Sequence, residues 1–277
     1  MKNVRISRNK PARIVAGLAA LCIIAGLLYF AVGLLGNPVS WGLANRTAGK
    51  HLAEKYAGTD YEIDTVSYDF KTGGYYAHVT SPTLPDGSFT LHFNMAGQLT
   101  HDDYDSRVTG RGNVTRRVQN EFRTLTDAVL KSPAFPYDTH IAYCDLEFYW
   151  SIDEEPLPGA IRREELENGR VYDVGAMGTT NGRLVLYVET DTHTAEKAAE
   201  VLHTVKTLFD SAGIGCCEVD LVLEYPPFEP DTYARPEGSY RLRGFSYAAI
   251  DGEGLVERVE KCHQDTLAYY AAKDAEK

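Results

Sequence analysis

The chain has 277 residues, a net charge of −11 and 44% hydrophobic side chains, enough apolar material for one large folded domain or two smaller ones. So acidic a chain repels a phosphate backbone, which sets nucleic acid aside as a partner. Five cysteines, none at Cys-x-x-Cys spacing, exclude a disulfide-dense scaffold.

The N-terminal stretch 1–13 carries Lys2, Arg5, Arg8, Lys10 and Arg13 and no acidic residue, and 14–35 is uncharged and apolar. As a helix that run is about 33 Å long, matching a hydrocarbon core of about 30 Å. The expectation is one uncleaved transmembrane helix, with the basic stub cytoplasmic and everything from about Gly36 onward extracytoplasmic. A cleaved signal has a shorter apolar core, and Ala31-Val32-Gly33, the one passable cleavage site, comes late. Cys22 follows Leu21 in mid-run, where a lipidation cysteine would need a small residue before it. The stub carries +5, so the rest of the chain carries −16.

Asn37 and Pro38 open a helix in which Trp41, Ala44, Ala48, Leu52 and Tyr56 recur at helical spacing, with Gly58 as its stop. Strands are expected over 61–70, 75–81, 88–95 and 98–104, separated by glycine and proline turns, with a bulge between Ile63 and Val66 where the alternation slips. Phe89, Leu91, Phe93 and Met95 mark the face turned to the helix. This is a helix laid on an antiparallel meander, 36–110. A second α+β unit, 111–272, starts with a helix over 113–131 whose stripe is Val114, Val118, Phe122, Leu125 and Val129. A strand over 139–150 follows, with Cys144, Leu146, Phe148 and Trp150 on one face. After an irregular stretch, 151–169, come a strand over 183–190, a helix over 194–212 and a strand over 216–225 alternating through Cys217, Val219, Leu221, Leu223 and Tyr225. Pro226-Pro227 breaks that strand. A last strand, 239–249, leads into a helix with Leu255, Val259, Cys262 and Leu267 inward. Helices and antiparallel strands in separate runs define an α+β fold, not a doubly wound parallel sheet.

Several of these segments carry a family resemblance: Gly-Asn-Pro-Val-Ser after the apolar run, Ala-Glu-Lys-Tyr at the helix end, Val66-Ser67-Tyr68-Asp69-Phe70-Lys71, Asp103-Tyr104, and Ala-Gly-Ile before Cys216. The chain resembles the YfjL-like group of membrane-anchored proteins, found mainly in Gram-positive bacteria. The resemblance implies a two-part ectodomain and no established activity, so no catalytic residue is carried over. The helix-plus-meander is also similar in shape to PepSY and cystatin-like modules, a likeness of architecture alone.

The strongest chemical constellation is Arg107, Arg111, Arg116, Arg117 and Arg123, five arginines in an acidic ectodomain around the start of the 113–131 helix. Free N–H groups and the dipole at a helix start attract anions, and guanidinium adds bidentate donors. One reading is an anion site for a phosphorylated envelope polymer or lipid headgroup. The other is pairing with the protein's own carboxylates, worth about 0–1 kcal/mol per surface pair. His101-Asp102-Asp103-Tyr104-Asp105 offers oxygen ligands but lacks EF-hand spacing, and reads as a strand end paired with the arginines downstream. The eight histidines show no zinc spacing, so no metal or cofactor is expected. Cys144, Cys217 and Cys262 read as buried thiols or a disulfide pair, and Cys216 as lying on the polar face with Glu218 and Asp220. Glu154-Glu155 and Glu164-Glu165 read as solvated, and the eighteen tyrosines as framework that can also line a binding surface. The expected function is a single-pass membrane protein whose extracytoplasmic domain is a binding or regulatory module for an anionic ligand or a peptide. An envelope hydrolase and an accessory subunit of a larger membrane complex are the rival classes.

Overall fold

A computed structural model describes residues 10–148, 157, 159–225 and 239–275. Lys2, Arg5, Arg8, Trp150, Glu154-Glu155 and Pro226-Pro227 lie outside the described residues. The fold is α+β and divides into two compact units, Met1–Gly110 and Arg111–Lys277.

The first unit opens with α1 (Lys10–Leu35), whose large apolar side chains are exposed along its length and which is long and apolar enough to cross a membrane. Next comes α2 (Pro38–Lys55), capped by Asn37, whose side chain accepts from the Ser40 N–H at 2.8 Å. It lies on an antiparallel sheet of β1 (Glu62–Asp69), β2 (Gly74–Thr80), β3 (Phe89–Phe93) and β4 (Leu99–Asp102), in that order. Ala44 and Ala48 bring the helix backbone close to Tyr75, Ala77, Val79, Phe89, Leu91 and Phe93, and all of these are buried. The anticipated bulge is a register shift between Ile63 and Thr65.

The last strand is shorter than its alternation predicts. It ends at Asp102, because the Asp103 carboxylate turns back to accept from the Thr90 N–H (2.5 Å) and Arg107 Nε (3.2 Å), and a π-helical turn, Asp105–Thr109, follows. Asp102 instead points at α2, accepting from Lys55 Nζ (2.8 Å), Tyr56 Oη (2.8 Å) and the Tyr104 N–H (3.0 Å), with His51 Nε2 at 2.9 Å. Burial alone would raise its pKa, but the hydrogen bonds from Lys55, His51, Tyr104 and Tyr56 together hold the carboxyl far below the ordinary 3.8. This ties the end of α2 to the far edge of the sheet.

The second unit contains α3 (Gly112–Leu130), β5 (Thr139–Leu146), α4 (Val174–Asn181), β6 (Gly182–Glu189), α5 (Ala195–Ser211), β7 (Glu218–Glu224), β8 (Tyr240–Ser246) and α6 (Leu255–Ala275). Its sheet runs β5-β6-β7-β8. The β6–β7 pair is parallel, linked by the α5 crossover, and the outer pairs are antiparallel. Cys144, Leu146, Leu184, Leu186, Val219, Leu221 and Leu242 face the helices and form one core with Val118, Phe122, Leu202, Val205, Phe209 and Val259.

Three sequence expectations are corrected here, and one helix was not anticipated. Leu125, expected in the α3 stripe, is exposed, and Thr126 takes the buried position. Cys216 is buried and Cys217 half-buried, the reverse of the expected phase. Residues 216–217 precede the strand, with the Cys217 N–H on the Gly182 carbonyl and the Cys216 thiol donating to the carbonyls of Gly182 and Glu218. In α6, Leu267 faces solvent and Thr266 faces the sheet, because a hydroxyl is needed there to satisfy β8. The sequence also showed no sign of α4, built from Val-Gly-Ala-Met-Gly-Thr-Thr-Asn, poor helix formers as a group. It forms because Asp173 caps it and its glycines let it press on the 213–215 backbone, where the Gly215 N–H reaches the Gly175 carbonyl at 2.9 Å.

Two outcomes are expected. Asp102→Asn should cost about 2 kcal/mol, the scale of hydrogen bonds to a charged group. Because the folded-state pKa is depressed, this stabilisation is present above the unfolded-state value of 3.8 and is lost as pH falls below it, so wild type and variant should converge in acid unfolding curves. Gly178→Ala places a Cβ on the Gly215 carbonyl and beside the Phe122 ring, so chemical denaturation should show a loss of about 2–3 kcal/mol.

Candidate functional site

The second sheet has two faces of different character. One is the core. Along each strand the intervening positions face the other way: Tyr143 and Asp145 on β5, Arg183 and Val185 on β6, Glu218 and Asp220 on β7. Both sheet edges are partly capped by helix side chains. From α3, Thr126 Oγ1 donates to the Cys144 carbonyl (3.2 Å) and Gln119 Nε2 to the Leu146 carbonyl (2.8 Å). On α6, His263 Nδ1 accepts from the Arg241 N–H (3.2 Å) and Thr266 Oγ1 from the Arg243 N–H (3.1 Å).

On the outward face lies an open groove of about 450 Å³, lined by Gln119, Tyr143, Asp145, Leu146, Glu147, Phe148, Arg183, Val185 and Asp220. Arg183 is its centre. Its Nη2 and Nε reach the Asp220 carboxylate at 2.8 and 3.0 Å, and its Nη1 lies 3.6 Å from Glu147. The other Asp220 oxygen accepts from the Gly244 N–H at 2.6 Å. Burial works against the guanidinium charge, yet Asp220 and Glu147 more than offset this and raise the Arg183 pKa. Beside it, Glu218 is pushed up by burial and by the charge of Asp220, against the opposing effect of Arg183. Burial and the neighbouring charges of Asp145 and Asp220 likewise raise Tyr143, which keeps its hydroxyl protonated as a donor. At the rim, Arg123 pairs with Asp145 through both Nε (2.8 Å) and Nη2. Three carboxylates thus line the groove against one guanidinium, with Arg123 neutralising one of them.

A second, shallower hollow of about 580 Å³ lies at the start of α5, among His193, Glu196, Tyr240, Glu257 and Glu260. Two of its three carboxylates are already engaged: Glu196 by the helix start and Thr194, Glu260 by Gln264 and Tyr240, so both are held below the usual range.

The five arginines singled out in the sequence go to separate neighbours. Arg107, in the first unit, pairs with Asp103. Arg111 takes a left-handed conformation (φ 62°) just ahead of α3, and its carbonyl accepts from the Thr115 hydroxyl. Arg116 is exposed, Arg117 reaches Glu121 (3.2 Å) and the Arg170 carbonyl (2.8 Å), and Arg123 holds Asp145. Among the described residues no group of three or more His, Cys, Asp or Glu side chains is arranged to hold a metal. Arg183, Glu147 and Asp220 were missed by sequence reading, since only the parallel β6–β7 pairing brings Arg183 and Asp220 together.

Two family models match the chain: the YfjL-like N-terminal domain over residues 11–104 and the YfjL-like C-terminal domain over residues 121–260. No curated protein and no solved structure matches it. One matched segment falls in each folded unit, the second covering every groove residue but Gln119, and the chain belongs to the YfjL-like family.

Proposed function

We propose that this chain is a single-pass membrane protein, its basic stub cytoplasmic and its two units extracytoplasmic in the cell envelope, and that its second unit is a binding module for a peptide bearing a cationic group. The anchor reading rests on the 22-residue uncharged run, exposed along α1, and its basic flank. The peptide reading rests on one observation: the groove at Arg183 is open and its carboxylates outnumber its guanidinium. An ammonium or guanidinium group entering there meets Glu147 and Asp220, while Arg183 and Gln119 offer donors to peptide carbonyls. Binding is favoured over hydrolysis because two of the three lining carboxylates, Asp145 and Asp220, are already held in ion pairs with Arg123 and Arg183.

Calorimetric titration of the chain with short cationic, neutral and anionic peptides tests the reading. Cationic peptides should bind, and Glu147→Gln should weaken them roughly tenfold, about 1.4 kcal/mol. Binding by anions alone, abolished by Arg116→Ala, would move the site to α3. Arg183→Ala, which leaves Asp220 and Glu147 facing each other, should cost about 2 kcal/mol in denaturant unfolding, with Arg183→Lys recovering part of it.

A further inference from the structure

The junction of α1 with the first sheet is a packed elbow, not a loose tether. Gly36 turns the chain at φ +71°, and a Cβ there would meet Tyr75 Oη and the Tyr68 ring. Tyr75 Oη clamps the next residue twice, accepting from the Asn37 N–H (2.6 Å) and donating to the Asn37 carbonyl (2.9 Å). Tyr68 Oη donates to the Gly33 carbonyl (2.8 Å), inside the last turn of the apolar helix. Because Tyr68 pairs with Tyr75, the end of β1 and the start of β2 are held at the level where α1 ends.

The β1–β2 turn, 70–73, follows at once. Its geometry is set by Asp69, whose carboxylate accepts from the Lys71 N–H (2.9 Å) and the Thr72 hydroxyl (3.0 Å). That turn exposes Phe70 at 59% relative accessibility and is followed by Lys71. Val39, in the first turn of α2 beside the same elbow, is 72% exposed, and Leu35 at the end of α1 is 80% exposed. A lone exposed apolar residue needs no explanation. Three of them around the end of a membrane-length helix, with a lysine, match the composition of a lipid interface, where aromatic rings sit at headgroup depth and lysines reach phosphate.

We propose that this end of the first unit, Phe70, Lys71 and Val39 around the Gly36 elbow, is seated in the lipid headgroup region, so that the unit rests on the bilayer instead of standing off it. The proposal rests on α1 being a membrane anchor. It commits to a lipid surface as occupant because Leu35 and Val39 flank the elbow at the end of the exposed apolar helix, and Tyr68, two residues before Phe70, is bonded to that helix's last turn.

The test uses the full chain in native membranes, with the photo-crosslinking residue benzoylphenylalanine at position 70, at position 39, or at position 83 in the β2–β3 turn at the opposite end of the sheet. Illumination should give lipid adducts, detected by mass spectrometry, roughly tenfold more abundant at 70 and 39 than at 83. Alkaline carbonate extraction, run in parallel, reads the anchor separately. A chain retained in the membrane with no lipid adduct at 70 or 39 overturns the seating and leaves the anchor standing. A chain released by carbonate overturns the anchor, and the seating with it.

Discussion

Every strand at the edge of a sheet carries backbone groups that must find partners, and in the second unit that constraint decides where the site is. Thr126 and Gln119 satisfy carbonyls of β5, and His263 and Thr266 satisfy N–H groups of β8. The two helices that supply these groups also contribute to the core. With both edges partly capped and one face filled, the outward face around Arg183 stays open. A threonine or histidine turned toward the sheet at these positions is worth more than the apolar residue that helical periodicity alone predicts, because an orphaned backbone group costs about 1–3 kcal/mol.

The same acidic composition is handled in two ways. In the first unit Asp102 is surrounded by donors from two elements, so its charge is stabilised and serves as a structural tie. In the second unit the carboxylates outnumber the guanidinium groups that neutralise them, and Glu218 is raised where Asp102 is lowered. A carboxylate used for cohesion gathers more donors than it needs. At the groove, Asp220 is paired with Arg183 and Glu147 lies 3.6 Å from the same guanidinium. That difference separates structural from binding charge in a chain where both are common.

Much of the fold was legible because local rules carried it: the uncharged run of α1, the Asn-Pro start of α2, the alternating strands of the meander, and most of the apolar stripe of α3, where Leu125 alone turned out to be exposed. Where those rules failed, a tertiary contact had taken over. The glycines of α4 oppose helix formation locally and are required for its approach to the 213–215 backbone. Cys216 changes face because it lies before the strand's alternation begins, and Thr266 displaces Leu267 because β8 needs a hydroxyl. The arginines were visible as a cluster in sequence, but Arg107, Arg117 and Arg123 are drawn to Asp103, Arg170 and Asp145, and two of those partners are more than 20 residues away. Arg183 could not stand out, since a single arginine on an alternating strand gives no signal until its neighbour's register is known.

This arrangement also keeps recognition separate from folding. Along β5, β6 and β7 residues alternate between the core and the outward face that carries the groove, with Leu146 and Phe148 of the core also reaching its lining. Substitutions at Tyr143, Glu147 or Val185 alter the groove and leave Cys144, Leu146, Leu184 and Leu186 packed as before. Arg183 and Asp220 are exceptions, because their mutual pairing and the Gly244 N–H tie them to the sheet itself. A groove built in this way has a fixed charged centre and a changeable rim. Within one fold, the centre is then held by the sheet's own pairing while the rim is open to change without disturbing the core.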